Sequence, residues 1–520
     1  MSRLELIATA AFGLESVVSR ELTQLGYHEQ RVEDGRVTFV GDELAICRCN
    51  FWLRSADRVL VKVGAFAAYD FEALFQQVMA LTWANWLSTD AKFPVSGKSV
   101  RSKLHAEPSI QGVTKKAIVE SLKATYQRHW FNEDGPEYPL EVAILKDWVT
   151  ISIDTSGAGL HKRGYRAEAG AAPLRETTAA ALVLLSYWNS DRPFIDPFCG
   201  SGTIPIEAAM IARNRAPGAN RGFQCEQWPQ ITREHWKQAR DEVRDGLRSK
   251  PKFTLQASDI DPRVLRIADK NATEAGVGSD IEFKKMDVLE LKTTREYGCI
   301  ITNPPYGVRL EDDESAGEIY DDMADAFEPL STWSIYVLTS HPGFERFFRR
   351  RADRRRKLYN GRLECHYFQY LGPRPPGETP APEIPEESVT DADPMTEQAV
   401  EQVSVRHPSV AVPAAVPEPP PVPVVQPVRG FVDLVGLEIP RDILDLIPES
   451  VARENTVIPV ALVDNRLRVA MPNHLDLELI KKLRLLVMRN IDSVPASKGS
   501  ILTAIDNYYG RSKNSETDAT

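Results

Sequence analysis

The spacing of apolar positions predicts alternating strands and helices at the start of the chain. Residues 4–10 and 36–40 predict strands, and residues 14–25 predict a helix that Gly26 closes. Asp42 is placed to cap the helix that follows the second strand. These elements predict a small α+β unit.

A second α+β unit follows, with a strand, a helix, a basic stretch, another helix and a hairpin. These elements cover residues 59–63, 71–80, 99–105, 110–126, 140–145 and 148–153. Trp83 and Trp86 lie on one face after the first of these helices, and core packing explains them better than stacking on nucleobases.

The pattern changes at residues 194–207, where an apolar run ends in Asp196 and two glycines precede an apolar helix. Gly200 and Gly202 predict a tight turn between strand and helix, and Pro205 suits the first turn of that helix. Glycine lets a ligand approach the backbone closely, and ligands of open α/β sheets bind at the carboxyl ends of strands. No Lys-Ser or Lys-Thr pair follows, so this is not a P-loop. Tight packing alone is the competing interpretation.

A second motif stands at the end of another apolar strand, residues 300–302, which leads into Asn-Pro-Pro-Tyr-Gly at residues 303–307. Asp-Pro-Phe-Cys-Gly-Ser-Gly followed by Asn-Pro-Pro-Tyr resembles the S-adenosylmethionine-dependent methyltransferases that modify exocyclic amino nitrogens of nucleobases. The pair of motifs is far more specific than either half. The resemblance implies S-adenosyl-L-methionine as the cofactor.

The residues of the second motif suit the handling of an exocyclic amine. The lone pair of such an amine is delocalised into the ring, and acceptors that hold its hydrogens favour attack on a methyl group. Asn303 offers a side-chain carbonyl and Pro304 a backbone carbonyl. Tyr306 offers a ring face to a base lifted out of its stack. An ordinary turn is the competing interpretation.

The cofactor site is expected at Asp196, Phe198, Gly200, Gly202, Asp259, Asp261, Asp287 and Asn303. Asp259 follows a predicted strand at 253–258, and an acidic residue there can accept both ribose hydroxyls. Asp261 is the second choice for that role, although capping of the helix that Pro262 opens also explains it. The resemblance implies that Asp287 accepts the adenine amino group; a loop aspartate without a ligand is the alternative.

The segments before the glycine turn indicate RNA. The order strand, helix, basic segment, helix, hairpin resembles the THUMP domain, an RNA-binding module. Leu-His-Lys-Arg-Gly-Tyr-Arg at 160–166, with Ala-Pro-Leu-Arg-Glu at 172–176, resembles the junction between THUMP and catalytic domains in the bacterial 23S rRNA guanine-N2 methyltransferases. That family combines ferredoxin-like, THUMP and Rossmann-like methyltransferase domains, and the resemblance covers residues 1–373.

The expected fold is α/β: a Rossmann-like class I methyltransferase sheet, preceded by α+β ferredoxin-like and THUMP domains, with a small α+β domain at the C-terminus. A strand at 333–338 and an Asn-Gly hairpin at 357–371 would complete the catalytic sheet. We expect domains at 1–53, 54–156 and 157–372, a linker at 373–428, a further domain at 429–510 and a tail at 511–520.

Basic residues form the expected RNA surface: Arg101, Lys103, Lys115, Lys116, Lys162, Arg163, Arg350 and Arg354. The last two belong to a dense basic run, residues 346–357. A solvated helix face is the usual explanation of such a run, and phosphate contact competes with it here.

Fifteen of the 36 prolines fall in residues 373–428, which predicts a semi-extended, disordered linker. Beyond it, Leu-Ile-Pro-Glu-Ser-Val-Ala-Arg at 446–453 and Val-Ala-Met-Pro-Asn-His-Leu-Asp at 469–476 resemble the N-terminal domain of type II secretion and type IV pilus assembly ATPases. No Walker A sequence occurs, so the ATPase motor is absent. We expect a domain that binds a protein partner, with a structural appendage as the alternative, and no cyclic dinucleotide site.

Composition adds few constraints. The net charge of −10 does not by itself indicate nucleic acid. No apolar run is long enough for a transmembrane helix, and the N-terminus predicts no secretory signal. Six cysteines without a Cys-x-x-Cys argue against disulfides or zinc. We expect a cytoplasmic protein without membrane insertion or bound metal.

The expected activity is S-adenosylmethionine-dependent methylation of the exocyclic N2 of a guanine in RNA, with 23S rRNA as the substrate. One alternative is a DNA adenine-N6 methyltransferase, since Asn-Pro-Pro-Tyr serves both reactions; the THUMP-like segment favours RNA. Another is a non-catalytic RNA-binding or assembly module that acts through residues 430–510. The intact Asn303 and Tyr306 disfavour that alternative.

Overall fold

The computed structural model describes residues 3–166, 174–305, 313–361, 363–377 and 439–509, the last with gaps at 445, 448, 464–465, 473–478, 481–482, 485–486 and 488–489. The predictions for Tyr306, for the linker after residue 377 and for the tail lie outside these residues. The apolar pattern at 475–486 also predicts a helix, and most of that segment is outside them as well.

Seven strands pair into one sheet in the N-terminal part of the chain. They are β1 (Leu4–Ala10), β2 (Gln30–Glu33), β3 (Arg36–Gly41), β4 (Ala56–Ala67), β5 (Val95–Val100), β6 (Leu140–Leu145) and β7 (Trp148–Asp154). The helices are α1 (Glu15–Gln24), α2 (Glu43–Trp52), α3 (Phe71–Met79) and α4 (Glu107–Tyr126). The strand order is β2-β3-β1-β4-β7-β6-β5.

The long strand β4 joins the first two predicted units in this sheet. It pairs with β1 on one side and with β7 on the other, both antiparallel. The sheet is therefore continuous across the segments that resemble the ferredoxin-like and THUMP domains, and the boundary expected between residues 53 and 54 stays a prediction.

Local sequence features explain the ends of several elements. The Asp42 carboxylate caps α2 by accepting a hydrogen bond of 2.8 Å from the amide of Ala45. Lys146 and Asp147 both have positive φ, 50° and 64°, as a two-residue turn between β6 and β7 requires. Trp83 is fully buried, as its assignment to the core predicts.

A second sheet carries the glycine turn. Its strands are β8 (Phe194–Asp196), β9 (Leu255–Asp259), β10 (Ile281–Lys285), β11 (Cys299–Thr302), β12 (Ser334–Thr339), β13 (Arg354–Asn360) and β14 (Leu363–Tyr370). The helices are α5 (Glu176–Leu185), α6 (Thr203–Ala212), α7 (Arg233–Asp245), α8 (Pro262–Glu274), α9 (Asp313–Phe327) and α10 (Phe344–Phe347). The strand order is β10-β9-β8-β11-β12-β14-β13.

This order creates a crevice at the carboxyl ends of β8 and β11. Strands β8 to β12 are mutually parallel, with β9 and β10 added on one side of β8 and β11 and β12 on the other. Such a reversal is where ligands bind in open α/β sheets. The terminal hairpin of β13 and β14 is antiparallel, as predicted, and the expected fold class is confirmed.

The C-terminal unit has its own sheet and core. It contains α11 (Arg441–Leu444), α12 (Glu449–Asn455), β15 (Ile458–Val463), β16 (Arg466–Met471), β17 (Asn490–Pro495) and α13 (Lys498–Tyr509). Strand β16 pairs antiparallel with β15 and parallel with β17. Ile447, Val457, Leu467, Ile501 and Ile505 are fully buried in its core. Among the described residues of the whole chain, no helix combines the length and apolar character needed to span a membrane.

Candidate active site

Three predicted site residues meet where β8, β9 and β11 end. Asp196, Asp259 and Asn303 lie at these ends, with β8 between the other two strands. The hydroxyl of Thr302 donates to Asp196 Oδ1 at 2.7 Å, and the amide of Gly200 donates to Asp259 Oδ2 at 3.0 Å. The turn and both neighbouring strand ends are therefore fixed to one another.

The two glycines of the turn serve different purposes. Both have positive φ, 54° at Gly200 and 82° at Gly202, a region that favours glycine. A Cβ at Gly202 would lie 3.0 Å from the Cβ of Ala268, so this glycine lets α6 and α8 approach. Of the described residues, none would come within 4 Å of a Cβ at Gly200, which leaves space above the turn for a ligand.

Asp196 is buried with half of its carboxylate unused. Its Oδ1 accepts hydrogen bonds from Thr302 and from the amide of Phe198 at 3.2 Å, whereas no group in the described part of the chain bonds its buried Oδ2. Burial raises the pKa of Asp196 to about 7; the two hydrogen bonds oppose this shift and the nearby charge of Asp259 adds to it. A cationic group next to Oδ2 would stabilise the ionised form of this carboxyl.

Asp259 and Asp261 have separate roles in the structure. Asp259 accepts from Gly200 and, through Oδ1, from the amide of Asp261 at 2.9 Å. Asp261 caps α8, because its carboxylate accepts from the amide and the guanidinium of Arg263, both at 2.8 Å. Hydrogen bonds from Arg263 also hold the pKa of Asp261 below its ordinary value. The capping interpretation accounts for Asp261, and Asp259 remains the better candidate for binding a diol.

Asp287 lies one strand further along, after β10. Its Oδ1 accepts from the amide of Leu289 at 3.0 Å, and the amide of Met286 bonds the carbonyl of Asp259 at 3.2 Å, which holds the two strand ends together. Leu289 and Ile260 are large apolar residues that are 51% and 65% exposed beside these aspartates. An apolar ring would find contact surface there.

Asn303 is unusual in the hydrogen bonding of its side-chain oxygen. Its side-chain carbonyl oxygen, Oδ1, is buried and has no hydrogen-bond partner among the residues that the structure describes. A buried acceptor without a donor is costly, and native proteins keep such groups where a ligand supplies the donor. Pro304 is buried beside it.

Three contributors to the site were not singled out from the sequence: Thr302, Arg166 and Glu176. The Arg166 guanidinium donates to the hydroxyl of Thr203 at 2.9 Å and lies 3.2 Å from the Glu176 carboxylate. Burial raises the pKa of Glu176, and the charge of Arg166 opposes this shift. Arg166 and Glu176 end the two segments of the junction motif, and this motif is the sequence signal that could have pointed to them.

The prediction that Arg163 belongs to the RNA surface is wrong. Its side chain is buried: the guanidinium donates to the carbonyl of Arg54 and, at 2.7 Å, to that of Leu160, and lies 3.4 Å from the Glu207 carboxylate. A guanidinium enclosed in this way cannot reach a phosphate. The neighbouring Lys162 is exposed.

The other basic residues fall on separate parts of the surface. Arg101 and Lys103 lie between β5 and α4, and Lys115 and Lys116 lie in α4. Lys115 forms an ion pair of 2.7 Å with Glu133, so part of its charge is already balanced. The structure places these four residues on the THUMP-like segment.

The basic run that contains Arg350 and Arg354 is not a helix face. The chain leaves α10 at Phe347 and enters β13, the edge strand of the sheet, at Arg354. Arg350 lies 4.0 Å from Asp353 and 5.1 Å above the ring centre of Tyr370. The helical interpretation of this run is therefore wrong, and phosphate contact stays a prediction.

A Rossmann-like sheet with acids at successive strand ends and an asparagine at the switch point defines a methyltransferase of the S-adenosylmethionine-dependent class. Four family models match the chain: the RlmL ferredoxin-like domain at 5–60, the THUMP domain at 68–154, the RMKL-like methyltransferase domain at 163–369 and the MshEN domain at 427–515. The chain belongs to the RMKL-like methyltransferase family. The resemblances seen in the sequence are confirmed at the matching positions.

Individual relatives agree with this assignment. "Putative RNA methyltransferase YpsC" of Bacillus subtilis is 50% identical over 71% of this chain and 96% of its own. A Listeria monocytogenes structure, "a predicted N6-adenine-specific DNA methylase", is 49% identical over 72% of this chain and 97% of its own, with a TM-score of 0.69. "SMU.472, a putative methyltransferase complexed with SAH" is 46% identical over 72% of this chain and 99% of its own, also with a TM-score of 0.69. S-adenosylmethionine is thus confirmed as the cofactor of the family.

Proposed function

We propose that this protein uses S-adenosylmethionine to methylate the exocyclic N2 of a guanine in RNA, and that 23S rRNA is the substrate. The unpartnered, buried Oδ1 of Asn303 carries the proposal. This oxygen is a hydrogen-bond acceptor that an N–H donor of the substrate can use. It lies at the end of β11, next to the glycine turn that follows β8.

The chemistry follows from what these carbonyl oxygens can accept. Bound S-adenosylmethionine supplies an electrophilic methyl group on a sulfonium. Asn303 Oδ1 and the carbonyl of Pro304 would accept the two N–H bonds of the amine and so turn its lone pair towards that methyl. Tyr306, which lies outside the described residues, would stack on the base.

The remaining site residues fit the cofactor. The open space above Gly200 admits a ligand to the backbone, and the free Oδ2 of Asp196 suits a cationic group. Asp259 would accept the ribose hydroxyls, and Asp287 the adenine amino group, with Ile260 beside the ring.

RNA is preferred over DNA because the chain carries a THUMP domain and because one relative is named an RNA methyltransferase. Lys103, Lys116 and Lys162 would contact phosphates. An rRNA substrate also agrees with the expected cytoplasmic location. The Listeria relative is named a DNA methylase, so DNA adenine-N6 methylation is the second candidate.

The proposal is tested with Asn303→Ala, and Asp259→Ala serves as the contrasting variant. Purified proteins receive radiolabelled S-adenosylmethionine and rRNA from cells that lack the gene, and calorimetry gives the dissociation constant for S-adenosylhomocysteine. Asn303→Ala should lower kcat by about a hundredfold or more and leave that constant nearly unchanged. Asp259→Ala should raise the constant.

Two results would count against the proposal. Normal turnover by Asn303→Ala would remove its catalytic role, and lost binding of S-adenosylhomocysteine would leave Asn303 only the role in cofactor binding that the sequence also predicts. Genomic DNA, offered in the same assay, tests the second candidate: faster methylation of DNA than of rRNA, with N6-methyladenine as the product, would replace the first proposal.

A further inference from the structure

A cleft of about 450 Å³ opens between four parts of the fold, one of which is the hairpin turn at the edge of the sheet that carries the candidate active site. Its walls include Phe12, Asp57, Arg175, Thr177, Tyr359 and Gly361. These residues come from the loop after β1, the start of β4, the start of α5 and the turn of the terminal hairpin. We propose that this cleft holds an unpaired nucleotide of the RNA substrate next to the target base; the proposal rests on the proposed function.

The turn of the terminal hairpin lies at the same end of the sheet as the carboxyl ends of the parallel strands. Thr339, the last residue of β12, pairs with His366, and β14 extends beyond this point to Leu363. The turn therefore projects past the carboxyl end of β12. Because β11 and β12 are parallel neighbours, Asn303 follows β11 on the same edge.

The opposite wall of the cleft is tied to the glycine turn. Arg166 bonds Thr203, the first residue of α6, and forms an ion pair with Glu176. Glu176 lies between Arg175 and Thr177, two residues of the wall. One buried ion pair thus connects the cleft to the helix that starts at the cofactor turn.

The aromatic side chains of the cleft are held in place before any ligand arrives. Phe12 is 50% exposed, and its ring meets that of Tyr359 edge-on, with centroids 5.8 Å apart. Arg356 of β13 donates to the carbonyl of Gly13 at 3.0 Å and to the hydroxyl of Ser16 at 2.7 Å, which fixes the loop that carries Phe12. Tyr359 is half-buried and Lys357 lies 5.6 Å from its ring centre, so the exposed Phe12 ring, braced by Tyr359, is the surface for base stacking.

The polar groups complement a nucleotide. The Arg175 side chain is 49% exposed and 3.8 Å from Asp57, so its guanidinium can turn to a phosphate. The hydroxyl of Thr177 donates a hydrogen bond of 3.2 Å to the Asp57 carboxylate. The carboxylate can accept a further hydrogen bond from the edge of a base, and the hydroxyl oxygen can accept one as well. The volume suits one nucleotide. The cleft therefore combines an aromatic pair, an arginine and two hydrogen-bonding groups. This combination fits an unpaired RNA base better than an apolar peptide.

The test combines Phe12→Ala and Tyr359→Ala, singly and together, with Tyr359→Phe as the conservative variant. Leu247→Ala is the matched control, because Leu247 is 49% exposed, as Phe12 is by half, but belongs to neither the cleft nor the expected RNA surface. Each protein is assayed for kcat and KM on rRNA, for binding of a short fluorescein-labelled single-stranded RNA, and for its melting temperature.

The double variant should raise the KM for rRNA and the dissociation constant for the short RNA by about tenfold or more, while Tyr359→Phe and Leu247→Ala stay near the wild type. RNA carrying 5-iodouridine should cross-link to peptides that contain Phe12 or Tyr359. Unchanged KM and RNA binding in a folded double variant would overturn this proposal alone. Absence of rRNA methylation by the wild type would overturn the proposed function instead.

Discussion

At the scale of single residues, the site is marked by two buried oxygen atoms, Asp196 Oδ2 and Asn303 Oδ1, for which the described residues supply no hydrogen-bond donor. Both residues could be identified from the sequence because each follows an apolar strand within a specific motif. Their hydrogen bonding could not, since it depends on which groups the fold brings near; at Asp196, Thr302 and the amide of Phe198 both bond Oδ1. Each acceptor is ready for a donor from the ligand.

Asp196 gives a prediction about pH. Its pKa of about 7 lies above the ordinary 3.8, so the native carboxyl keeps its proton between these values and folding stability falls as pH rises through that window. A cationic ligand favours the ionised form. The dissociation constant for S-adenosylhomocysteine should therefore fall roughly tenfold between pH 6 and pH 8, as calorimetry can measure.

Asp196→Asn, measured in the same buffers, removes the contribution of this carboxyl and leaves the titration of the ligand itself. The variant should show a clearly flatter pH profile. Equal slopes in variant and wild type would mean that Asp196 does not meet a charged group of the cofactor.

Arg163 shows where reasoning from residue type fails. It stands in a basic segment next to Lys162, and composition gives both residues the same interpretation. Only the fold brings Arg163 to Glu207 and buries both, because the two lie in different segments of the chain.

At the scale of elements, the glycine turn decides how β8, α6 and the ligand fit together. Gly200 and Gly202 share a backbone conformation but differ in their surroundings: open space at the first and Ala268 at the second. The sequence predicts the turn, and only the structure separates these two purposes.

Alanine substitutions should separate the two glycines. Gly202→Ala adds both left-handed strain and a close contact with Ala268, so it should lower the free energy of unfolding by more than about 2 kcal/mol. Gly200→Ala adds the strain of about 1–2 kcal/mol but places its methyl group where the ligand would lie, and should weaken S-adenosylhomocysteine binding more than it lowers stability. Urea unfolding and calorimetry check both. Comparable effects of the two variants on binding would argue against open ligand space above Gly200.

The elements that the sequence did not predict have physical reasons for being missed. Strands β2 and β5 are half-exposed edge strands with few apolar positions, and their partners β3 and β6 set their register. Helix α5 is buried on nearly all sides and shows no polar face. Helix α7 is different, since its pattern is amphipathic and Thr232 caps it, so the signal was present in the sequence.

At the scale of the whole molecule, a buried cluster of charges joins the N-terminal sheet to the catalytic sheet. Arg163 binds the carbonyl of Arg54, which precedes β4, and the carboxylate of Glu207 in α6. The hydroxyl of Tyr165 donates to Glu207 at 3.2 Å. Burial lowers the pKa of Arg54 to about 10. The sheet that carries the THUMP domain is thereby tied to the helix that follows the glycine turn.

Arg163→Ala should destabilise the protein by about 3–5 kcal/mol, because it leaves Glu207 buried without its counter-charge. Lys162→Ala is the matched control, since this neighbour is exposed, and its effect on stability should stay within about 0.5 kcal/mol. Chemical unfolding of both variants checks the difference. An Arg163→Ala protein as stable as the control would show that the cluster does not join the two sheets energetically.

The overall architecture was largely predictable because two motifs at strand ends fix the catalytic sheet and four resemblances follow one another along the chain. Pairing of both N-terminal segments into one sheet through β4 was not, since no local pattern specifies pairing between distant strands. Recruitment of a protein partner through residues 430–510 stays a prediction.

The central claim is tested most directly by mass spectrometry of rRNA nucleosides from a strain that lacks the gene, beside its parent and complemented strains. The account predicts loss of one N2-methylguanosine from 23S rRNA, restored by the wild-type protein and not by Asn303→Ala. An unchanged set of rRNA modifications would contradict it.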